Sequence, residues 1–257
     1  MAYADAQALP QTSPQNLHPG LQDVLRNPAI WRARALAQEQ ERRPDKSIAT
    51  GFAALDAVLP DGGWPLGALT ELLINTTGVG ELSLLLPALR SVFAQGRGVA
   101  LLAPPWLPHA RAWHSAGLPL ERLLLIEAVG LDLLWSAEQI LRSGECGAVL
   151  LWGPAAGRAL DQRALQRLQL AAGNGNALCF LYRALGAEAN PSPAPLRLKL
   201  DAHDGGLRLQ CIKQRSALQT RPLPLQLFPA HWQARRTHTA FRATPLTAPT
   251  QLRPHAV

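Results

Sequence analysis

After Asp204 the 257-residue sequence contains no aspartate or glutamate. The same stretch carries Arg208, Lys213, Arg215, Arg221, Arg235, Arg236, Arg242 and Arg253, so the overall charge of +7 leaves −1 (7 − 8) for residues 1–204. A one-signed arm predicts contact with DNA or an acidic partner, and these eight residues are the candidate contacts. Cysteine is also scarce. Cys146, Cys179 and Cys211 are widely spaced and form no CxxC, which excludes a disulfide framework and a zinc ribbon. They read as free thiols, two of them in or beside apolar runs, in a reducing compartment. No stretch reaches the roughly 18 apolar residues of a membrane span. The opening "MAYADAQALPQTSPQ" has no basic segment leading into an apolar one, so no secretory signal and a cytoplasmic location are expected. His109 and His114 lack HExxH or carboxylate spacing, and Ser83 lacks a GxSxG setting, so neither a metal nor a nucleophile elbow is expected.

What is present is enough apolar sequence for a sizeable core, 47% hydrophobic against 17% charged. Three regions follow from composition. Residues 1–46 are a polar segment and a helix over about 28–43, with Pro28 in its first turn. Residues 47–228 form the core, and 229–257 form an irregular, basic, Pro- and Thr-rich tail. Within the core, short apolar runs at 69–74, 98–103, 122–128, 148–152, 177–182, 196–201 and 207–214 read as strands, and 81–95, 107–116, 132–143 and 158–172 read as helices. Alternation of this kind predicts an α/β fold with a mostly parallel sheet flanked by helices. "LRLKLDAHDGGLRLQCIKQ" alternates with period two around a turn, so an antiparallel hairpin should close the C-terminal end of the core. "PLQLF" (224–228) reads as a final strand, and Trp64, Trp106 and Trp152 are expected to pack in the core.

Two stretches carry a resemblance. "SIATGFAALDAVLPDGGWPLGALTELLI" resembles the entry to a RecA-like core, with Gly62-Gly63, Pro65, Gly67 and Glu71 at matching spacing, and "CIKQRSALQTRPLPLQLF" resembles its closing strands. "TELLINTTGVGELSLLLPALR" and "CGAVLLWG" make the chain similar to the ImuA family, whose relatives include the SulA-type cell-division inhibitors. The resemblance implies a RecA-like fold and a damage-induced accessory of translesion DNA synthesis in the SOS response. It also implies a Y-family-like ImuB-type protein and an error-prone C-family polymerase as partners, with RecA as a further candidate. The alternative it implies is an inhibitor acting on a polymerising division protein.

The nucleotide chemistry of that fold is missing from this sequence. A phosphate-binding loop needs GxxxxGK[ST], whose lysine neutralises phosphate and whose hydroxyl holds the metal. With Gly80 as the second glycine, Asn75 stands for the first, Glu81 for the lysine and Leu82 for the hydroxyl residue. The ungapped register places Val79, Gly80 and Glu81 at the Gly, Lys and Thr positions instead. Glu81 beside a triphosphate would repel it by about 4 kcal/mol per charge pair at 4 Å and an effective dielectric near 20. Trp152 occupies the end of the strand where the metal-holding aspartate belongs, and Pro104-Pro105-Trp106 stands where the water-activating carboxylate belongs. Asn75, Gly78, Gly80, Glu81, Leu82 and Trp152 therefore read as a degenerate loop, and no enzyme activity and no cofactor are expected. The short, Pro-rich segment after Arg183 also speaks against strand binding of the recombinase kind.

Overall fold

The computed structural model describes residues 47–153, 160–204, 206–214 and 221–227. The helix expected at 28–43, Arg215, and the tail with Arg235, Arg236, Arg242 and Arg253 lie outside the described residues.

The chain enters through a two-residue strand, β1 (Ser47–Ile48), which pairs antiparallel with β2 (Trp64–Pro65). Between them run a single helical turn, α1 (Ala53–Asp56), and a 3-10 turn at Pro60–Gly62. This small ribbon was not legible in the sequence. It depends on Gly63, where a Cβ would collide with the Ile48 carbonyl. An eight-stranded sheet follows, with helices between its parallel strands. In chain order its elements are β3 (Ala68–Ile74), α2 (Glu81–Ala94), β4 (Gly98–Leu102), α3 (Ala110–Ser115), β5 (Leu123–Ile126) and α4 (Gly130–Ser143), then β6 (Cys146–Trp152), α5 (Gln162–Gly175), β7 (Leu178–Ala184), β8 (Leu196–His203), β9 (Gly206–Lys213) and β10 (Leu223–Gln226).

Strand order across the sheet is β10-β9-β8-β3-β7-β6-β4-β5. The pairs from β8 to β5 are parallel, whereas β8–β9 and β9–β10 are antiparallel. The sheet is thus mostly parallel with an antiparallel C-terminal end, as its sequence pattern predicts. β3 and β6 are buried at all seven positions each, because helices cover both faces. One face packs Leu84, Leu85, Leu89 and Val92 of α2 with Trp64, Leu72, Leu150 and Phe180. The other packs Leu133, Ala137 and Leu141 of α4 and Leu165, Leu168 and Ala172 of α5 on Leu69, Val149 and Leu181. Alternate side chains of one strand feed different cores, so a slip of one residue would exchange them.

Local chemistry sets the helix ends. Asp161 accepts the Ala164 N–H at 2.7 Å and caps α5, which begins at Gln162 and not at 158. Gly144 ends α4 in the left-handed conformation. The C-terminal ends of α4 and α5 are tied together by Arg97. Its guanidinium donates to the carbonyls of Gly144, Cys146, Gly175 and Asn176 at 2.8–3.1 Å. No helix among the described residues is long and apolar enough to cross a membrane.

Candidate functional site

The segment between β3 and α2 is where the sequence places a phosphate loop, at the C-terminal end of a central parallel strand. Asn75, Thr76, Thr77 and Gly78 are exposed there, and Val79 and Gly80 are half-buried. Gly78 and Gly80 have φ of 83° and 111°, which turn the chain from strand into helix. Gly80 is also held by proximity, since a Cβ there would lie 2.6 Å from Leu227 Cδ1.

Glu81 does not stand out from the loop as a repelling charge. Its side chain folds back into the bend, where Oε1 accepts the Gly78 N–H at 2.8 Å and Oε2 accepts the Gly80 N–H at 3.0 Å. The residue is buried, at the first position of α2, whose N-cap Gly80 offers no side-chain oxygen. A carboxylate in that place satisfies donors that the helix leaves open and meets the positive end of its dipole. Backbone N–H groups of a Gly-rich loop are also what such loops use to hold phosphate. Here two of them are engaged by the chain's own anion. Leu82 turns toward the α2 core and packs on it, as does Val79.

The flanking positions are filled by aromatic groups. Trp152 stacks on Tyr182 with centroids 4.6 Å apart and planes 21° from parallel. The Tyr182 hydroxyl lies 3.5 Å from the Glu81 carbonyl. Its burial, with a contribution from the Glu81 charge, pushes the phenol well above its usual pKa. The Trp106 indole N–H donates to Thr77 Oγ1 at 3.3 Å, which carries the segment after β4 to the loop after β3. Core packing of the three tryptophans is therefore corrected for Trp106, which is 38% exposed, while Trp64 and Trp152 are buried. Pro104-Pro105 leads Trp106 away from the strand and out of the core.

Sequence reasoning missed a second polar cluster, built on Glu71 in the centre of β3. Glu71 is fully buried, and its carboxylate accepts from Arg183 of β7 at 3.2 Å, from Arg197 Nε of β8 at 2.9 Å, and from the Ser192 hydroxyl. Arg197 donates further to the carbonyls of Ala187 and Glu188. Arg183, at the base of the segment that the sequence reads against strand binding, is committed to a buried ion pair. The signal was present as charges inside three apolar runs, Glu71 in "LTELLI", Arg183 in "CFLYRA" and Arg197 in "LRLKL".

Of the candidate basic contacts, the structure places three. Arg208 is exposed on β9 with its guanidinium 2.9 Å from His203 Nδ1, Lys213 donates to the Ser192 carbonyl at 2.7 Å, and Arg221 is exposed ahead of β10. Arg208 and Lys213 lie on β9 in the antiparallel end of the sheet, whose residues Leu207 and Leu227 approach Gly80 of the loop. "PLQLF" contributes β10, with Leu225 buried and Pro224 and Gln226 exposed.

The fold and loop together define an α/β protein whose phosphate-loop position is occupied by its own glutamate. Residues 67–179 match the family model described as cell division inhibitor SulA. That span covers a little less than half of the chain, from the turn before β3 to the start of β7, so this part of the protein is similar to that family. No curated protein matches the chain.

Proposed function

We propose that this protein is a non-enzymatic, SOS-associated interaction protein that serves translesion DNA synthesis as an adaptor. Its partners in that role are a Y-family-like ImuB-type protein and an error-prone C-family polymerase, with RecA as a further candidate. The observation that carries the non-enzymatic part is the Glu81 carboxylate on the Gly78 and Gly80 N–H groups. Phosphoryl transfer depends on positioned positive charge around the phosphates, and the loop offers a negative one. The adaptor part is supported by the RecA-like entry at residues 47–74, whose first twenty residues precede the matched span, and by the acid-free basic sequence after Asp204. That arm supplies the DNA or acidic-partner contact. The protein carries no cofactor in this reading.

The description of the matched family favours a second reading, inhibition of cell division through a polymerising division protein. An inhibitor of that kind has no need of DNA. The two readings separate in a pull-down from DNA-damaged bacterial lysate with full-length protein and with residues 1–228. Retention of the polymerase or its Y-family-like companion, lost when residues 229–257 are removed, is the result expected of the adaptor. A division protein retained equally by both would establish the inhibitor instead.

A further inference from the structure

Exposed apolar side chains follow the C-terminal ends of β4 and β5: Trp106 and Leu107 after the first, Val129 and Leu131 after the second. Val129 is 83% and Leu131 76% exposed. The two strands are parallel neighbours, so these residues share one rim of the sheet. The Gly-rich loop lies on the same rim, because β3 runs parallel to β4 through β7 and β6. The bond from the Trp106 indole to Thr77 joins the two parts at 3.3 Å.

The chain also leaves its described core at this rim. β10 is antiparallel to β9, and β9 to β8, so β10 points the same way as β3 and finishes beside the loop. Leu227, just after β10, is the residue that a Cβ on Gly80 would meet at 2.6 Å. A path therefore leads from Leu227 past Gly80 and Thr77 to Trp106, and from there to Val129 and Leu131.

The sequence beyond Leu227 matches that path in reach and in chemistry. β3 and β5 are separated by the three strands β7, β6 and β4. At ~4.8 Å per strand spacing the distance is about 19 Å, which about six extended residues cover. Trp232 and Phe241 are the aromatic residues of the arm 229–257, and they stand among Arg235, Arg236 and Arg242 with no acid. Acids flank the apolar residues after β5, since Glu127 and Asp132 are both exposed there. The exposed cation that follows Trp106 and Leu107 is Arg111 on α3, while Glu121 and Arg122 stand at the opposite end of β5.

We propose that the arm of residues 229–257 docks in cis along this rim. Trp232 and Phe241 cover Trp106, Leu107, Val129 and Leu131, and the arginines between and beside them meet Glu127 and Asp132. Aromatic side chains bury a large apolar area, and a tethered segment docks at high effective concentration, so modest contacts hold it. The docked arm shields the apolar rim and engages the arginines, an autoinhibitory contact that a partner of either surface has to displace. The inference goes beyond the adaptor and inhibitor readings and depends on neither.

Photocrosslinking of the full chain tests this, with Val129 replaced by p-benzoylphenylalanine and the same replacement of Leu170, on α5, as control. At low protein concentration the crosslink is expected within one chain, to residues 230–243, with a yield at least about tenfold above the control. Trp232→Ser combined with Phe241→Ser is expected to lower that yield at least about tenfold. Far-UV circular dichroism of these variants should match that of the wild type, which separates lost docking from lost folding. A crosslink between two chains, a crosslink confined to residues 154–159, or a yield no higher than at Leu170 overturns the proposal. So does a yield that the two arm substitutions leave unchanged.

Discussion

The carboxylate of Glu81 accepts the backbone N–H of Gly78 at 2.8 Å, across the bend where a nucleotide-binding protein would hold phosphate. The residue that stands in place of the lysine is therefore one whose carboxylate bridges the bend. Removing it should loosen the bend. Glu81→Ala removes the acceptor of the exposed Gly78 and half-buried Gly80 N–H groups and is expected to lower stability by about 0.5–1.5 kcal/mol. Glu81→Gln keeps one oxygen acceptor and should fall between. Urea denaturation of the three proteins, with a common slope, checks the order.

The Glu71 cluster should be far less forgiving. Glu71→Ala leaves Arg183 and Arg197 buried without a counter-charge, and breaking a buried pair on one side costs about 3–5 kcal/mol. Arg208→Ala, on an exposed face of β9, is expected to stay within about 0.5 kcal/mol of the wild type. Chemical denaturation of both variants measures the contrast.

Arg97 predicts a distinction between two cations. Its planar fork reaches three carbonyls at the ends of α4 and α5 and that of Cys146 at the start of β6, a geometry that a lysine cannot reproduce. Arg97→Lys should therefore destabilise by about 1–3 kcal/mol despite the retained charge. Faster amide exchange at the last turns of α4 and α5, relative to β3 and β6, would localise the effect.

Stability should decline on the alkaline side. Burial pushes the Cys179 thiol up from 9.0 to about 12. Because the folded state holds this proton more tightly, its stabilising contribution is complete below pH 9 and is lost as pH climbs toward 12. Tyr182, also raised, adds to the loss at still higher pH. The thermal midpoint is expected to fall progressively above pH 9, and Cys179→Ala should remove the first part of that fall.

The fold was legible because its strands announce themselves. "LTELLI" and "AVLLW" are apolar runs too short for helices, and each became a strand buried on both sides. The turn "DAHDGG" likewise joined two antiparallel strands. The sequence reading set Glu81 in the place of the lysine, at the first turn of the helix after β3. Its inward turn was not legible, because nothing in "GVGELS" says whether a carboxylate points to solvent or to the two N–H groups behind it. The Glu71 cluster was hidden for a different reason. Its members are 112 and 126 residues apart in the chain, and only strand order brings them together. The exposure of Trp106 depends on how Pro104-Pro105 leaves β4, and that direction is a tertiary property.

Isothermal titration of the full chain with ATP and magnesium tests the central claim most directly. If Glu81 fills the loop, no saturable heat and no phosphate release are expected up to millimolar nucleotide. Saturable binding in the micromolar range, accompanied by phosphate release, would contradict the account and restore the loop to catalysis.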